Sequence, residues 1–124
     1  MKWQSTLLIL GTLASQAIAG TDTIDCDIDA DYANYVRATE GIRYINGLSG
    51  QPTAEAGKCN RVSCSYGAGI YVCSNDGKDH PLKGWGTVAD VATKILEKCP
   101  KGMAVKGRLY SSDGWGAVVQ GAEC

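Results

Sequence analysis

Hydrophobic residues recur with helical spacing in the segment that ends at Pro100. They fall at i, i+3, i+4, i+7, i+8 and i+11, which is one continuous face of a helix. Thr87 can cap the first turn, and Pro100 ends the helix. The pattern predicts a helix over Thr87–Cys99 with Cys99 on its buried face. The apolar residues of this face are Val88, Val91, Ala92, Ile95, Leu96 and Cys99.

A second helix is predicted over Asp31–Asn46, where Tyr35, Val36, Ile42 and Ile45 keep roughly helical spacing. Gly47 stands where such a helix would stop. Gly41 lies in its interior, and an interior glycine weakens a helix.

Alternation of apolar and polar residues predicts the strands. Thr23–Ile28 places Ile24, Cys26 and Ile28 on one side, so Cys26 is expected to face the core. Cys59–Cys73 contains two short strands around Gly67, with Val62, Cys64 and Tyr66 on one side.

A further hairpin is predicted from Met103–Tyr110 and Trp115–Gln120, which are separated by the turn sequence Ser-Ser-Asp-Gly. The order strand, helix, hairpin, helix, hairpin indicates an α+β domain. Its expected architecture is an antiparallel sheet of about four to five strands with two helices on one face.

The first residues have the features of a secretory signal peptide. Lys2 precedes the apolar run Leu7–Leu10, and Ala17-Ile18-Ala19 is a small-x-small cleavage site. We therefore expect residues 1–19 to be a signal peptide and residues 20–124 to form a single secreted, extracellular domain.

All six cysteines follow that site, and an even number in a short exported chain predicts three disulfides. Six cysteines allow fifteen pairings, which spacing alone does not resolve. The hairpin cysteines Cys59, Cys64 and Cys73 are expected to pair with partners elsewhere in the chain, unless Cys64 and Cys73 pair across the hairpin. Those partners would be Cys26, Cys99 and Cys124.

The formal net charge of −1 gives no basic patch of the kind that nucleic acid requires. Charge is uneven along the chain, however. Aspartates crowd Asp22–Asp31, whereas lysines and an arginine gather over Lys94–Arg108. The two groups either attract each other within the protein or leave a basic face for a partner. The candidate residues of that face are Lys94, Lys98 and Lys101.

Catalytic residue types are few. His80 is the single histidine and is expected to be an exposed loop residue beside Pro81. Glu40, Glu55 and Glu97 could supply a carboxylate pair, but nothing in the sequence brings two of them together. The spacing of the cysteines and of the early aspartates fits neither a zinc site nor a calcium loop. We expect no enzyme activity, no cofactor and no metal.

Aromatic residues are the better candidates for binding. Trp85 and Trp115 each lie between glycines, which would leave an indole face open to a ligand or a sugar ring. Tyr66 and Tyr71 are further large flat groups. In a chain without phenylalanine, however, the same aromatic residues are also needed to fill the core.

The layout resembles a known group of proteins. A leader, a helix running into GIRYINGLSG, the block CNRVSCSYGAGIYVCSND, the helix VADVATKILEKC and the closing GRLYSSDGWGAVVQGAEC are together similar to small secreted cysteine-rich proteins of filamentous fungi. That group includes effector candidates and killer-toxin-like α/β sandwich proteins. The resemblance implies virulence-associated or toxin-like binding in the extracellular space, and no functional residue can be carried over from it. This chain has fewer cysteines than the smut-type killer toxins.

The resulting expectation is a secreted, monomeric, effector-like or toxin-like fungal protein that acts by binding. Its partner would be a protein, membrane or cell-wall component of a host or competitor. One alternative is a module that binds cell-wall polysaccharide through Trp115 and Trp85. A second alternative is a small secreted hydrolase.

Overall fold

A computed structural model describes residues 22–124, which form two helices and ten strands. The helices are α1 Tyr35–Asn46 and α2 Trp85–Lys98. The strands are β1 Thr23–Asp25, β2 Ala33–Asn34, β3 Thr53–Ala54, β4 Cys59–Ser65, β5 Ala68–Ser74, β6 His80–Pro81, β7 Pro100–Lys101, β8 Ala104–Val105, β9 Gly107–Tyr110 and β10 Trp115–Gly121.

Five strands form the main sheet, in the order β1-β9-β10-β5-β4, and every pairing in it is antiparallel. Helix α1 packs on β4 and β5, whereas α2 packs on β9, β10 and α1. Both helices therefore cover the same face, and the predicted α+β architecture is confirmed. Two small sheets, β2-β8-β7 and β3-β6, complete the described part of the chain.

Helix α1 begins later than predicted, at Tyr35 instead of Asp31. The preceding residues Ala33 and Asn34 extend to pair with β8. The side chain of Asn34 then caps the helix by accepting a hydrogen bond from the backbone N–H of Arg37, at 3.0 Å. The predicted end at Gly47 is confirmed.

Gly41 explains how α1 approaches the sheet so closely. A Cβ added at Gly41 would lie 2.8 Å from Ser63 Oγ and 3.0 Å from Ile70 Cδ1. The glycine that weakens the isolated helix thus allows the helix backbone to approach β4 and β5.

Helix α2 buries the face that the periodicity predicts, including Val88, Ile95 and Leu96. The predicted cap is wrong, because the helix begins at Trp85 and Thr87 lies in its first turn. The cap position is Gly84, which has no side chain to accept a hydrogen bond. Trp85 packs against the core from the first helical position, and this contact accounts for the earlier start.

The core lies between the two helices and the main sheet. Its largest fully buried side chains come from every layer, and burying each contributes roughly 1.5–3 kcal/mol. They are Ile45, Ile70, Ile95, Val88, Val105, Val119 and Cys73.

Both predicted hairpins are present, but the first strand of the second hairpin is shorter than predicted, because β9 begins at Gly107 and Ala104–Val105 belong to another sheet. In the first hairpin, β4 departs from simple alternation. The register with β5 shifts between Arg61 and Ser63, which makes Val62 an additional, bulged residue. After the bulge Ser63 lies opposite Ile70 on the helix side, and Cys64 lies opposite Gly69 on the open side. The expectation that Val62 and Cys64 share one side of an unbroken strand is therefore wrong.

Three disulfides cross-link the described chain: Cys26–Cys99, Cys59–Cys73 and Cys64–Cys124. The number is as predicted. The expectation that all three hairpin cysteines reach distant partners is wrong, because Cys59 and Cys73 are direct neighbours in the β4–β5 register and pair with each other. Cys99 joins the end of α2 to the residue after β1, and Cys124 joins the end of the chain to β4.

Strand β1 ends at Asp25, earlier than the predicted Ile28, and Cys26 follows it directly. The predicted signal peptide over residues 1–19 lies outside the described residues. Within residues 22–124, neither helix has the length and apolar character needed to cross a membrane.

The Gly41 contact predicts an unusual response to alanine. Glycine to alanine normally stabilises a helix interior by about 0.5–1 kcal/mol. Gly41→Ala should instead lower the free energy of unfolding by about 1–3 kcal/mol, because the methyl group meets packed atoms of β4 and β5. Urea denaturation measures this change.

Gly86→Ala is the matched control, because Gly86 is also in a helix and a Cβ added there would lie 3.6 Å from Asn46 Oδ1, which is an ordinary contact. This variant should be neutral or slightly stabilising. Equal effects of the two substitutions would contradict the close helix–sheet contact.

Candidate functional site

The two tryptophans proposed for binding are packed into the protein. Trp115 is 5% exposed and belongs to the core, and Trp85 is half-buried against it. Gly116 does not open the indole face of Trp115, since a Cβ there would collide with the backbone oxygen of Leu109 and with Tyr110. Because Gly116 has no side chain, strand β9 can pair closely beside it. Neither indole is therefore exposed as a flat binding surface.

Tyr71 lies on the open side of the sheet, half-buried, in register between Arg61 and Val118. It is therefore flanked by side chains on both neighbouring strands. The structure does not bring it together with either tryptophan, because Trp115 is on the opposite face of the same sheet.

The basic residues near the end of the chain are partly used within the protein. Lys94 Nζ lies 3.8 Å from Asp22 Oδ2, and Arg108 lies 3.5 Å from Asp25 Oδ2. Lys98 and Lys101 are exposed. The observed ion pairs match the alternative in which the acidic and basic segments attract each other.

A different surface carries exposed aromatic and charged groups. We call it the tyrosine surface, and it consists of Arg37, Glu40 and Tyr44 on α1 together with Tyr66 at the tip of the β4–β5 hairpin. Tyr66 is 80% exposed and Tyr44 is 59% exposed. The guanidinium of Arg37 lies 4.3 Å from the centre of the Tyr66 ring, and it donates to both oxygens of Glu40 at 3.1 Å.

Tyr66 has an unusual backbone conformation. Its φ is +44°, and it is the single non-glycine residue with positive φ in the described chain. Asn-Gly is the preferred sequence for a tight hairpin turn, because asparagine tolerates this left-handed conformation better than an aromatic residue does. The turn sequence Tyr66-Gly67 therefore costs on the order of 1 kcal/mol relative to that alternative.

A cavity of about 310 Å³ lies beside the tyrosine surface, between α1 and β4. Its lining residues are Glu40, Gly41, Tyr44, Ser63, Cys64 and Ser65. The Ser65 hydroxyl donates to Glu40 at 3.0 Å. Hydrogen bonds from Arg37 and Ser65 hold the pKa of Glu40 below its ordinary value, so this carboxylate is ionised at neutral pH.

A second cavity of about 500 Å³ lies near the start of α2. Its lining residues are His80, Pro81, Leu82, Lys83, Thr87, Asp113 and Trp115. The prediction of an exposed loop histidine is wrong, because His80 pairs with Ala54 in a short strand and its side chain is only 20% exposed.

The partner of His80 is Asp76, whose Oδ1 lies 2.7 Å from Nε2. Asp76 also accepts hydrogen bonds from the backbone N–H of Lys78 and from the Ser74 hydroxyl. Both members of the pair pack against Gly114 in the β9–β10 turn. Their contacts thus join the loop after β5 to that turn, which gives the pair a structural role.

The glutamates considered for catalysis lie apart. Glu40 lines the first cavity, Glu55 accepts a hydrogen bond from Asn60, and Glu97 is exposed on α2. Each of the two cavities is lined by one carboxylate, from Glu40 and from Asp113. Among residues 22–124, no group of three or more metal-ligating side chains comes together.

Comparison of the chain with protein-family models, curated proteins and solved structures finds no match. The class of protein is therefore defined by its fold, its disulfides and the features of its surface. It is a disulfide-bonded α+β protein with an exposed tyrosine and arginine surface beside a polar cavity.

Sequence reasoning noted Tyr66 and Glu40 but missed Arg37, Tyr44, Ser63 and Ser65. Helical spacing could have placed Arg37, Glu40 and Tyr44 on one face of α1, since they are three and four residues apart. The position of Ser63 had no such signal, because it depends on the bulge in β4.

The Asp76–His80 pair predicts how stability responds to acid. Hydrogen bonds from His80 and other donors lower the pKa of Asp76 from its ordinary value of 3.8. A carboxyl group with a lowered pKa stabilises the fold above its unfolded-state pKa, and this contribution disappears as the pH falls through the folded-state pKa. Asp76→Asn should therefore be less stable than the parent protein near neutral pH, with the difference shrinking between about pH 5 and pH 2.

Urea midpoints measured across this pH range test the expectation. Asp113→Asn, a substitution in the exposed β9–β10 turn, is the control and should follow the parent protein. A constant difference between Asp76→Asn and the parent at every pH would contradict the role of the ionised carboxylate.

Proposed function

We propose that this protein acts outside the cell by binding a component of a host or competing cell, in the manner of an effector or toxin and without catalysis. The binding surface is the tyrosine surface. Three disulfides are consistent with an extracellular protein, and the fungal effector-like resemblance of the sequence supports the same setting.

The main support for the proposal is the exposure and backbone conformation of Tyr66. A large ring that is 80% exposed at a left-handed turn position contributes little to folding and costs backbone strain. Tyrosine and arginine, with tryptophan, are also the residue types enriched in binding hot spots. A binding role accounts for a residue that stability would not favour.

Arg37 adds a second argument. Its guanidinium is held between the Tyr66 ring and the Glu40 carboxylate, so much of its conformational freedom is already lost in the unbound protein. Ordering a long side chain on binding costs about 0.5–1.5 kcal/mol, and this arrangement avoids part of that cost.

The two alternative functions have less support. A polysaccharide-binding module based on tryptophan needs an open indole face, whereas Trp115 is 5% exposed. A hydrolase based on paired carboxylates needs two of them in one cleft, whereas each described cavity has one. The tyrosine surface has the exposed groups that a binding function requires.

Binding of the fluorescently labelled, oxidised protein (residues 20–124) to plant leaf cells and to competing fungal cells tests the proposal. Tyr66→Asn should weaken binding about tenfold or more. Its free energy of unfolding should stay within about 1 kcal/mol of the parent, because relief of backbone strain offsets the lost stacking of Arg37. Reduced and alkylated protein should not bind.

A double variant, Lys98→Ala with Lys101→Ala, is the control and tests the exposed lysines. It should bind like the parent protein. If only the lysine variant lost binding, the binding site would lie near the end of α2 and not at the tyrosine surface. Failure of the oxidised parent to bind any of the cells would refute the proposed function.

A further inference from the structure

Ser63 is a buried polar residue whose side chain makes no hydrogen bond within the described residues. It is 8% exposed, and buried hydroxyl groups normally have a hydrogen-bond partner. Within residues 22–124, its Oγ forms no hydrogen bond to another residue, although the nearby Ser65 hydroxyl does. Ser63 lines the cavity between α1 and β4, so its free hydroxyl is available to a molecule that enters.

Two features of the backbone keep this hydroxyl in place. The bulge at Val62 turns Ser63 to the helix side of β4; bulges commonly redirect a side chain beside a functional site. Opposite it, Gly41 has no side chain, and a methyl group there would lie 2.8 Å from Ser63 Oγ. The sheet and the helix thus both leave room for the hydroxyl.

Charge restricts what the cavity can bind. The ionised Glu40 receives hydrogen bonds from Arg37 on both oxygens, so the negative charge is compensated within the wall. A cation would meet the positive charges of Arg37 and of Arg43, which also acts on Glu40, and an anion would meet the ionised carboxylate in the wall. The remaining groups are hydrogen-bond acceptors on Glu40 and Ser65 and a hydroxyl of Ser63 that both donates and accepts. They suit a neutral ligand rich in hydroxyl groups.

The tyrosines add an apolar element. Tyr44 contributes to the cavity wall and is 59% exposed, and Tyr66 is linked to the same wall through Arg37. An aromatic face packs against the C–H face of a sugar ring, while polar groups at its edge bond the hydroxyls. The volume of about 310 Å³ is at the lower end of the range for small-ligand cavities, about 300–1,000 Å³. It has room for about one ring.

From these observations we infer that the cavity between α1 and β4 binds one neutral pyranose unit of a glycan on the target cell. The inference rests on the proposed binding function, because it names the chemical class that the tyrosine surface recognises. The site differs from the tryptophan platform that the sequence indicated, and it uses Ser63, Glu40 and Tyr44 instead.

Calorimetric titration with neutral oligosaccharides tests the inference, using glucan, mannan, galactan and chitin oligomers with the oxidised protein. At least one class should bind. Ser63→Ala should then weaken binding about tenfold or more, because a hydroxyl of the sugar loses its partner. The same variant should keep or increase its resistance to urea, since no hydrogen bond within the described protein is lost.

Ser112→Ala, in the exposed β9–β10 turn, should change neither property. A stability loss in Ser63→Ala with unchanged saccharide affinity would assign the hydroxyl a structural role and overturn the inference. Binding of acidic saccharides alone would overturn it as well, because it would contradict the charge argument.

Cell binding separates this inference from the proposed function. Binding that depends on Tyr66, is abolished by protease treatment of the cells and is accompanied by no saccharide binding would identify a protein partner. The inference would then be wrong and the proposed function would stand. If neither cells nor saccharides are bound, both fail.

Discussion

The close approach of α1 to strands β4 and β5 at Gly41 is the constraint on which the tyrosine surface depends. With no side chain at this position, the helix lies near enough to the sheet for Glu40 to accept a hydrogen bond from Ser65 at 3.0 Å. The same approach lets Arg37, one turn earlier, reach the Tyr66 ring. A larger residue at position 41 would press on Ser63 Oγ and Ile70 Cδ1, so that either these side chains or the helix must shift. The cavity and the ordered arginine are therefore two consequences of one packing contact.

The disulfides secure the strands that take part in this contact. Cys59–Cys73 closes the β4–β5 hairpin, and Cys64–Cys124 holds β4 from its open side. Strand β4 is at the edge of the sheet, where it has one hydrogen-bonded neighbour and is bulged. An edge strand has hydrogen bonds to one neighbour only, and a bulge interrupts that ladder locally. Two covalent links to this strand keep its register, and with it the position of Ser63 opposite Gly41.

The sequence predicted those features that depend on periodicity. The buried face of α2 follows from apolar spacing, and the two hairpins follow from alternation around glycine-rich turns. Features that depend on tertiary contacts were not predictable in this way. In the sequence, Gly41 resembled a defect in the helix, and the bulge in β4 produced no recognisable pattern. The glycines beside Trp115 suggested an exposed indole, although Gly116 lies against a neighbouring strand. Cys59 and Cys73 pair because the hairpin register makes them neighbours, which spacing alone does not reveal.

Local departures from the rules of stability meet in one region of the described molecule. An interior helix glycine, a buried hydroxyl without a hydrogen-bond partner among residues 22–124 and an aromatic residue with φ of +44° each lower stability when considered alone. Elsewhere the helices bury regular apolar faces and the turns use glycine where positive φ is required. Proteins break such rules mainly where function demands it. Because Gly41, Ser63 and Tyr66 adjoin the same helix and the same hairpin, a single functional requirement at this surface accounts for all three more economically than three separate structural accidents.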